Sequence, residues 1–303
     1  MHRLLITIAV LLSTSALADT YTKTKYPIVL VHGMLGFDRL LGILDYFHGI
    51  PGELGSGGAQ VFVVDVSQSN STTLRGEQLI AQLETIKAVH GYEKFNLIGH
   101  SHGGPTARYA ASVRPDLVAS VTSVGSPHTG SAVADGLAVA APPGSPQRAI
   151  IAAYVDALST FIGLLSGTAN PQDSLQALAS LSTSGAAVFN ALHPDGKPGS
   201  ACGQGASVVN GVRYASMGGT SVFSNLLDVS DPLLEAGSVF FGGQANDGLV
   251  GRCSSHWGTV LRDDYGWNHL DEVNQLVGLR GLFSASPPAV YRAQANRLKG
   301  QGL

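Results

Sequence analysis

Charge is scarce in this chain. Asp, Glu, Lys and Arg make up only 13% of its 303 residues, and the formal net charge is −3. No cluster of Lys or Arg occurs, which argues against a nucleic-acid partner. Apolar stretches stop short of the length a membrane span needs, so stable membrane insertion is not expected. Internal repeats and low-complexity tracts are missing as well. Cysteine is nearly missing, with two residues in the whole chain. What is plentiful is apolar material, 44% of the residues, together with 38 glycines; this is the composition of a globular protein with a large core and many turns.

The first residues stand apart. His2 and Arg3 precede an apolar stretch from Leu4 to Leu12, and Ala16-Leu17-Ala18 closes it with small residues where a signal peptidase reads. Residues 1–18 are therefore expected to be a cleaved secretory signal. The mature chain would begin at Asp19 and hold about 285 residues, the size of one large α/β domain. Cys202 and Cys253 both lie in the exported part, and an even count in an oxidising compartment favours one disulfide.

Periodicity gives the architecture. Tyr26 to Val31 and Gln60 to Val66 read as buried strands, joined through a glycine-rich connection over Gly52 to Gly58. Ser71-Thr72-Thr73 offers helix-capping hydroxyls. Leu79, Leu83, Ile86 and Val89 follow at helical spacing, and Gly91 stands where a C-terminal glycine cap belongs. A strand through Phe95-Asn96-Leu97-Ile98, a helix to Arg114-Pro115 and a strand over Val118 to Val124 come next. Strand and helix in alternation predict a mostly parallel sheet with helices on both faces. From Gly130 to about Ala187 the chain turns rich in Ala, Leu, Gly and Ser with helical patterns. Its most apolar part, Ala149 to Leu165, reads either as a core helix or as a mobile cap. Arg213 to Met217 and Ser238 to Phe241 are expected to resume as strands.

The chemistry centres on Gly99-His100-Ser101-His102-Gly103, a serine on a strand-to-helix turn. Serine is a weak nucleophile unless the backbone presents its hydroxyl to a base and to oxyanion donors at once. Small residues at Gly99 and Gly103 suit so sharp a turn. The serine needs a histidine base and an acid to orient it, following in the chain order serine, acid, histidine. Asp228, Asp231, Asp247, Asp263, Asp264 and Asp271 are available downstream, as are His128, His193, His256 and His269. Spacing alone does not choose among them. Asp247 sits at an Asn-Asp-Gly turn after a strand-like run, but Asp-Gly also makes plain turns.

Four long segments carry a resemblance. Tyr26 to Gly36 (YPIVLVHGMLG), Asn96 to Pro105 (NLIGHSHGGP), Ala245 to Gly251 (ANDGLVG) and Asn268 to Gln275 (NHLDEVNQ) resemble the secreted Pseudomonas-type triacylglycerol lipases, and the similarity runs through the mature chain to Lys299. The resemblance implies an α/β-hydrolase fold with a helical lid insert at about 130–187. It implies Ser101 as nucleophile, His269 as general base and then acid, and Asp247 as the residue orienting the imidazole. The oxyanion donors would be the backbone N–H groups of Met34 and His102. His100 and His32 would shape the elbow and the oxyanion loop, leaving His256 a structural role. One structural calcium ion is implied, with carboxylates from Asp228 and Asp271 and backbone carbonyls from Gln275 and Leu279, an all-oxygen set suited to a hard cation. On the residues alone, Asp271 reads equally as a helix cap. Cys202 and Cys253 fall at the family's disulfide. A lipase-specific steric chaperone (foldase) and export by the type II route are also implied.

The function expected is hydrolysis of long-chain acylglycerols at a lipid–water interface through a Ser-His-Asp acyl-enzyme, by a secreted enzyme. Two other readings stand beside it: a carboxylesterase or polyester depolymerase without interfacial preference, and a non-catalytic binding protein of the same fold. The stretch from Ser131 to Leu165 is where the chain is least like the family, so that stretch bears on substrate choice and leaves the triad untouched.

Overall fold

A computed structural model describes residues 19–36, 39–40, 44–139, 145–146, 149, 170 and 172–303. The secretory signal expected over residues 1–18, and all of the apolar 149–165 segment beyond Ala149, lie outside these residues.

The sheet contains β1 (Ile28–Val31), β2 (Val61–Val64), β3 (Phe95–His100), β4 (Val118–Val124), β5 (Val208–Val209), β6 (Val212–Gly219) and β7 (Thr259–Tyr265). Five strands run parallel in the order β2-β1-β3-β4-β6. Along its remaining side β6 pairs first with β5, antiparallel at Val212 and Arg213, and then with β7, parallel from Ala215 to Gly219. Every residue of β1, β3 and β4 is buried. That is why β1 reads as an unbroken apolar run and β3 and β4 as mostly apolar ones: both faces of a parallel sheet are covered.

The two-residue pleat sorts their side chains. Val29, Val31, Leu97 and Val121 join one core with Leu79, Leu83 and Ala107, from α2 (Thr72–His90) and α3 (Gly103–Val113). Ile28, Leu30, Ile98 and Val124 join the other with Ile50, Leu54, Tyr291 and Ala295. Those four come from α1 (Ile50–Ser56) and from the C-terminal helix (Pro287–Gly300). Helix α2 starts at Ser71, whose hydroxyl accepts from the Leu74 N–H at 3.2 Å, and stops at Gly91 with φ +76°. Both ends agree with the capping residues read from the sequence.

Two expectations are corrected. Gly52 to Gly58 is mostly helix α1 rather than a connection. Pro51 sits at its first turn, where a missing N–H is harmless, and Ile50 and Leu54 at i, i+4 are buried under the C-terminal helix. Ser238 to Phe241 is not a strand. It ends the helix Asp231–Ser238 and continues as a 3-10 turn, Val239–Phe241. The branched and aromatic residues there satisfy β-propensity, but Phe241 packs on Val133, so tertiary packing decides. Strand β6 runs two residues beyond Met217, to Gly219.

The described parts of 130–187 are helical: α4 (Ala132–Ala138), α5 (Ser174–Leu181) and the start of α6 (Thr183–Leu192), capped by Ser131, Asp173 and Ser182. Among the described residues, no helix is long and apolar enough to cross a membrane. Cys202 and Cys253 form a disulfide.

Candidate active site

Strand β3 delivers Ser101 at its C-terminal end, and α3 starts two residues later. The turn between them forces Ser101 to φ +55°, a conformation that costs a non-glycine residue about 1–3 kcal/mol. The Ser101 N–H donates to the Val124 carbonyl at 2.9 Å, and its carbonyl accepts from Gly104 at 3.0 Å. A Cβ on Gly99 would stand 2.3 Å from the Gly103 carbonyl oxygen, and one on Gly103 would stand 2.1 Å from that of Val31. The elbow therefore needs glycine for want of space at both positions.

Opposite it, the Asp247 carboxylate Oδ2 lies 2.8 Å from His269 Nδ1, and both side chains are buried. Asp247 Oδ1 accepts from the N–H groups of Leu249 at 2.9 Å and Val250 at 2.7 Å. The His269 N–H donates to the Asp247 carbonyl at 2.9 Å, so two loops hold one another. A carboxylate can only accept, so His269 carries its proton on Nδ1 and keeps a lone pair on Nε2. Ser101, His269, Met34 and Tyr46 line one cavity of about 100 Å³. Its other walls are mostly apolar, with Leu35, Val133, Leu178, Leu181, Leu234 and Leu249 among them, and Ser131 and Gln275 add polar groups.

The alternative base, His256, is engaged elsewhere: Nε2 lies 2.8 Å from Asp263 and Nδ1 lies 3.1 Å from the Gly203 carbonyl. His102 follows Ser101 directly, at the N-terminus of α3, where backbone N–H groups have no intrahelical acceptor. Its imidazole points away, buried with Nε2 2.8 Å from the Thr72 hydroxyl. Met34 lies on the loop after β1.

That loop is braced by a residue that sequence reasoning missed. Arg75, on α2 and wholly buried, donates to the carbonyls of His32 at 2.6 Å and Gly33 at 3.3 Å, to those of Ser67 and Gln68, and to the Thr106 hydroxyl. Burial pushes its pKa down to about 9. A signal existed: Arg75, Leu79 and Leu83 are four residues apart, which puts the guanidinium on the apolar stripe of the helix.

A second buried chain ties the loops together. The Gly33 N–H donates to the Tyr46 hydroxyl at 3.0 Å. That hydroxyl lies 2.6 Å from His100 Nδ1, and His100 Nε2 lies 3.2 Å from Glu272 Oε2. Glu272 Oε1 accepts from the Gly219 N–H at 2.7 Å. Burial, with Asp247 nearby, holds the Glu272 carboxyl well above the usual range, and burial holds His100 well below the imidazole range. His100, His269 and Glu272 are near enough to share an ion. Two imidazoles with one carboxylate would suit a borderline metal rather than calcium, and His269 Nδ1 already donates to Asp247.

The residues expected to hold calcium lie beyond His269. Asp228 and Asp271 are both buried. Asp228 Oδ1 accepts from the Ser230 N–H and hydroxyl. Asp271 Oδ2 accepts from the Asn268 N–H at 3.2 Å, whereas its Oδ1 is buried with no partner. Burial pushes Asp271 up to about 7, with Asp228 and Asp231 adding repulsion. An orphaned carboxylate oxygen among like charges fits a hard cation. The chain then turns through left-handed residues at Asn274, just before Gln275, and at Leu276, Val277 and Gly278, between Gln275 and Leu279.

Residues 26–201 match the family of the alpha/beta hydrolase fold. A triacylglycerol lipase from Vibrio cholerae is 53% identical over the full length of both chains. One from Pseudomonas fragi is 43% identical, covering 94% of this chain and all of that protein. The chain belongs to the triacylglycerol lipases. The enzyme also shares its fold with a solved lipase from Pelosinus fermentans, with a TM-score of 0.64 and 19% identity, covering 91% of this chain and 99% of that one.

Proposed function

We propose that the enzyme hydrolyses long-chain acylglycerols through an acyl-enzyme on Ser101. The observation that carries this is the buried Asp247–His269 pair, whose histidine shares a mostly apolar cavity with an elbow serine. Ser101 Oγ attacks the ester carbonyl while His269 Nε2 takes its proton. Asp247 keeps the imidazole in the required tautomer and stabilises the imidazolium that forms. The N–H groups of Met34 and His102 receive the oxyanion. His269 then gives its proton to the departing glycerol oxygen, activates a water against the acyl-serine, and returns the proton to Ser101. The leucine-rich walls take the acyl chain by burying it from water.

Asp228 and Asp271, with the carbonyls of Gln275 and Leu279, would hold one calcium ion. When bound, it supplies positive charge that satisfies Asp271 Oδ1 and offsets the neighbouring carboxylates, with no Lewis-acid role. Because Asp271 is two residues past His269, a pinned Asp271 keeps the base in register. The leader-like residues 1–18 and the disulfide support export. The family resemblance extends that to a foldase and the type II route, with 130–187 as lid insert.

A phosphonate ester should modify Ser101 alone. Rates on a short ester should jump as its concentration passes the solubility limit. Labelling elsewhere would overturn the assignment of Ser101. A smooth saturation curve would favour an esterase or polyester depolymerase over an interfacial lipase.

A further inference from the structure

We propose that a second apolar surface, formed by residues 221–229 and 277–285, docks the enzyme on the lipid aggregate that presents its substrate; this rests on the interfacial reading above. Phe283 is fully exposed at 101%, Leu282 at 92% and Leu226 at 90%, with Leu227 and Phe223 also exposed. Single exposed leucines are ordinary on a protein surface; five large apolar side chains on two adjoining loops are not. The loops are fastened together, since the Asn225 side-chain amide donates to the Arg280 carbonyl at 3.0 Å. All five side chains border one open concavity, with Tyr265 and Arg262 at its edge.

Two observations point to lipid as the occupant. The surface adjoins the catalytic cavity along the chain: Leu233 and Leu234 of its wall follow the first loop within a few residues, and Gln275 precedes the second. An aggregate touching Phe283 and Leu282 would therefore be held by loops joined directly to the residues that wall the cavity. Charge agrees. Within the two loops Asp228 is the one acid, and it is buried. Basic side chains are supplied by Arg280 in the second loop and Arg262 beside it, the latter paired with Asp264. An apolar surface with no exposed acid on either loop matches the acyl chains of a lipid layer.

The test uses Ser101→Ala enzyme, so that adsorption is read without turnover, and vesicles of phosphatidylcholine with and without phosphatidylglycerol. Leu282→Ser/Phe283→Ser should weaken adsorption on the order of a hundredfold, the low end for two buried side chains of this size. With Ser101 intact, the same pair should lower activity on emulsified triacylglycerol and leave the rate on a dissolved short ester unchanged. Both native tryptophans, Trp257 and Trp267, are buried, so Phe283→Trp adds an exposed reporter whose emission should shift to the blue on vesicles. Unchanged adsorption of the double variant while wild type adsorbs would overturn this surface alone. Wild type that shows no preference for emulsion and does not adsorb would overturn it together with the interfacial reading. A monomer–dimer equilibrium abolished by the substitutions, with adsorption intact, would assign the face to a second copy instead. Should the double variant fail to fold, Leu226→Ser carries the same expectation at about tenfold.

Discussion

Replacing Arg75 with methionine removes five hydrogen-bond donors from a buried site while keeping most of the side-chain volume. The carbonyls of His32 and Ser67 lose their partner together, and both residues are buried. A buried acceptor left unpaired costs about 1–3 kcal/mol, so roughly 3 kcal/mol of stability should go after local relaxation. For a domain of this size that is a fall in Tm of about 6 °C. The catalytic consequence is larger in proportion. Met34 is the residue after Gly33, and in the proposed mechanism its N–H must sit where negative charge develops. Loss of one oxyanion donor costs about 10²–10³ in kcat, so a loosened loop should lower kcat on a dissolved ester at least tenfold, with KM little changed. Arg75→Lys, which keeps the charge and loses the planar fork, should fall between the two. Steady-state kinetics paired with thermal melts makes the check. A variant that melts 6 °C lower yet keeps full kcat would show that Arg75 braces the fold without setting the donor. One that loses neither would refute the bracing altogether.

Gly103→Ala should leave little folded, active enzyme, because its Cβ meets the Val31 carbonyl oxygen at 2.1 Å; soluble yield and near-ultraviolet circular dichroism report it. Removing both cysteines opens a loop of 51 residues and should cost up to about 4 kcal/mol by the chain-entropy estimate, read as a lower Tm that matches the reduced wild type. Chelation should lower Tm and ester activity together, and in Asp271→Asn added calcium should no longer raise Tm; a variant still stabilised by calcium would place the ion elsewhere.

Much of the sheet was legible because its strands are buried on both faces, and a run such as Ile28–Val31 has no polar alternation to confuse it. The elbow was legible for a local reason, as glycine spacing and strand context both lie within a dozen residues of Ser101. The proposed partners of that serine were not. Asp247 and His269 are brought to it from far along the chain, and neither the pairing of His256 with Asp263 nor that of His269 with Asp247 leaves a mark in spacing; family resemblance made that choice. The Tyr46–His100–Glu272 chain was hidden for the same reason, being built from segments that meet only in the fold. Helix α1 was misread because glycine was taken as a breaker where Pro51 and two buried residues outweigh it. At Val239–Phe241, packing on Val133 overrides strand propensity.

Because the parallel strands all point the same way, the two ends of the sheet have different jobs. Met34, Ser101 and His269 follow the C-terminal ends of β1, β3 and β7, whereas the hairpin turn Asn210–Gly211 and the turn after Gly91 precede β6 and β3 at the opposite end. Asn210, Gly211 and Gly91 are exposed. A tether or affinity handle spliced at Asn210–Gly211 would therefore fix the molecule to a solid support by the end of the sheet opposite Ser101, leaving the proposed active site free to meet its substrate.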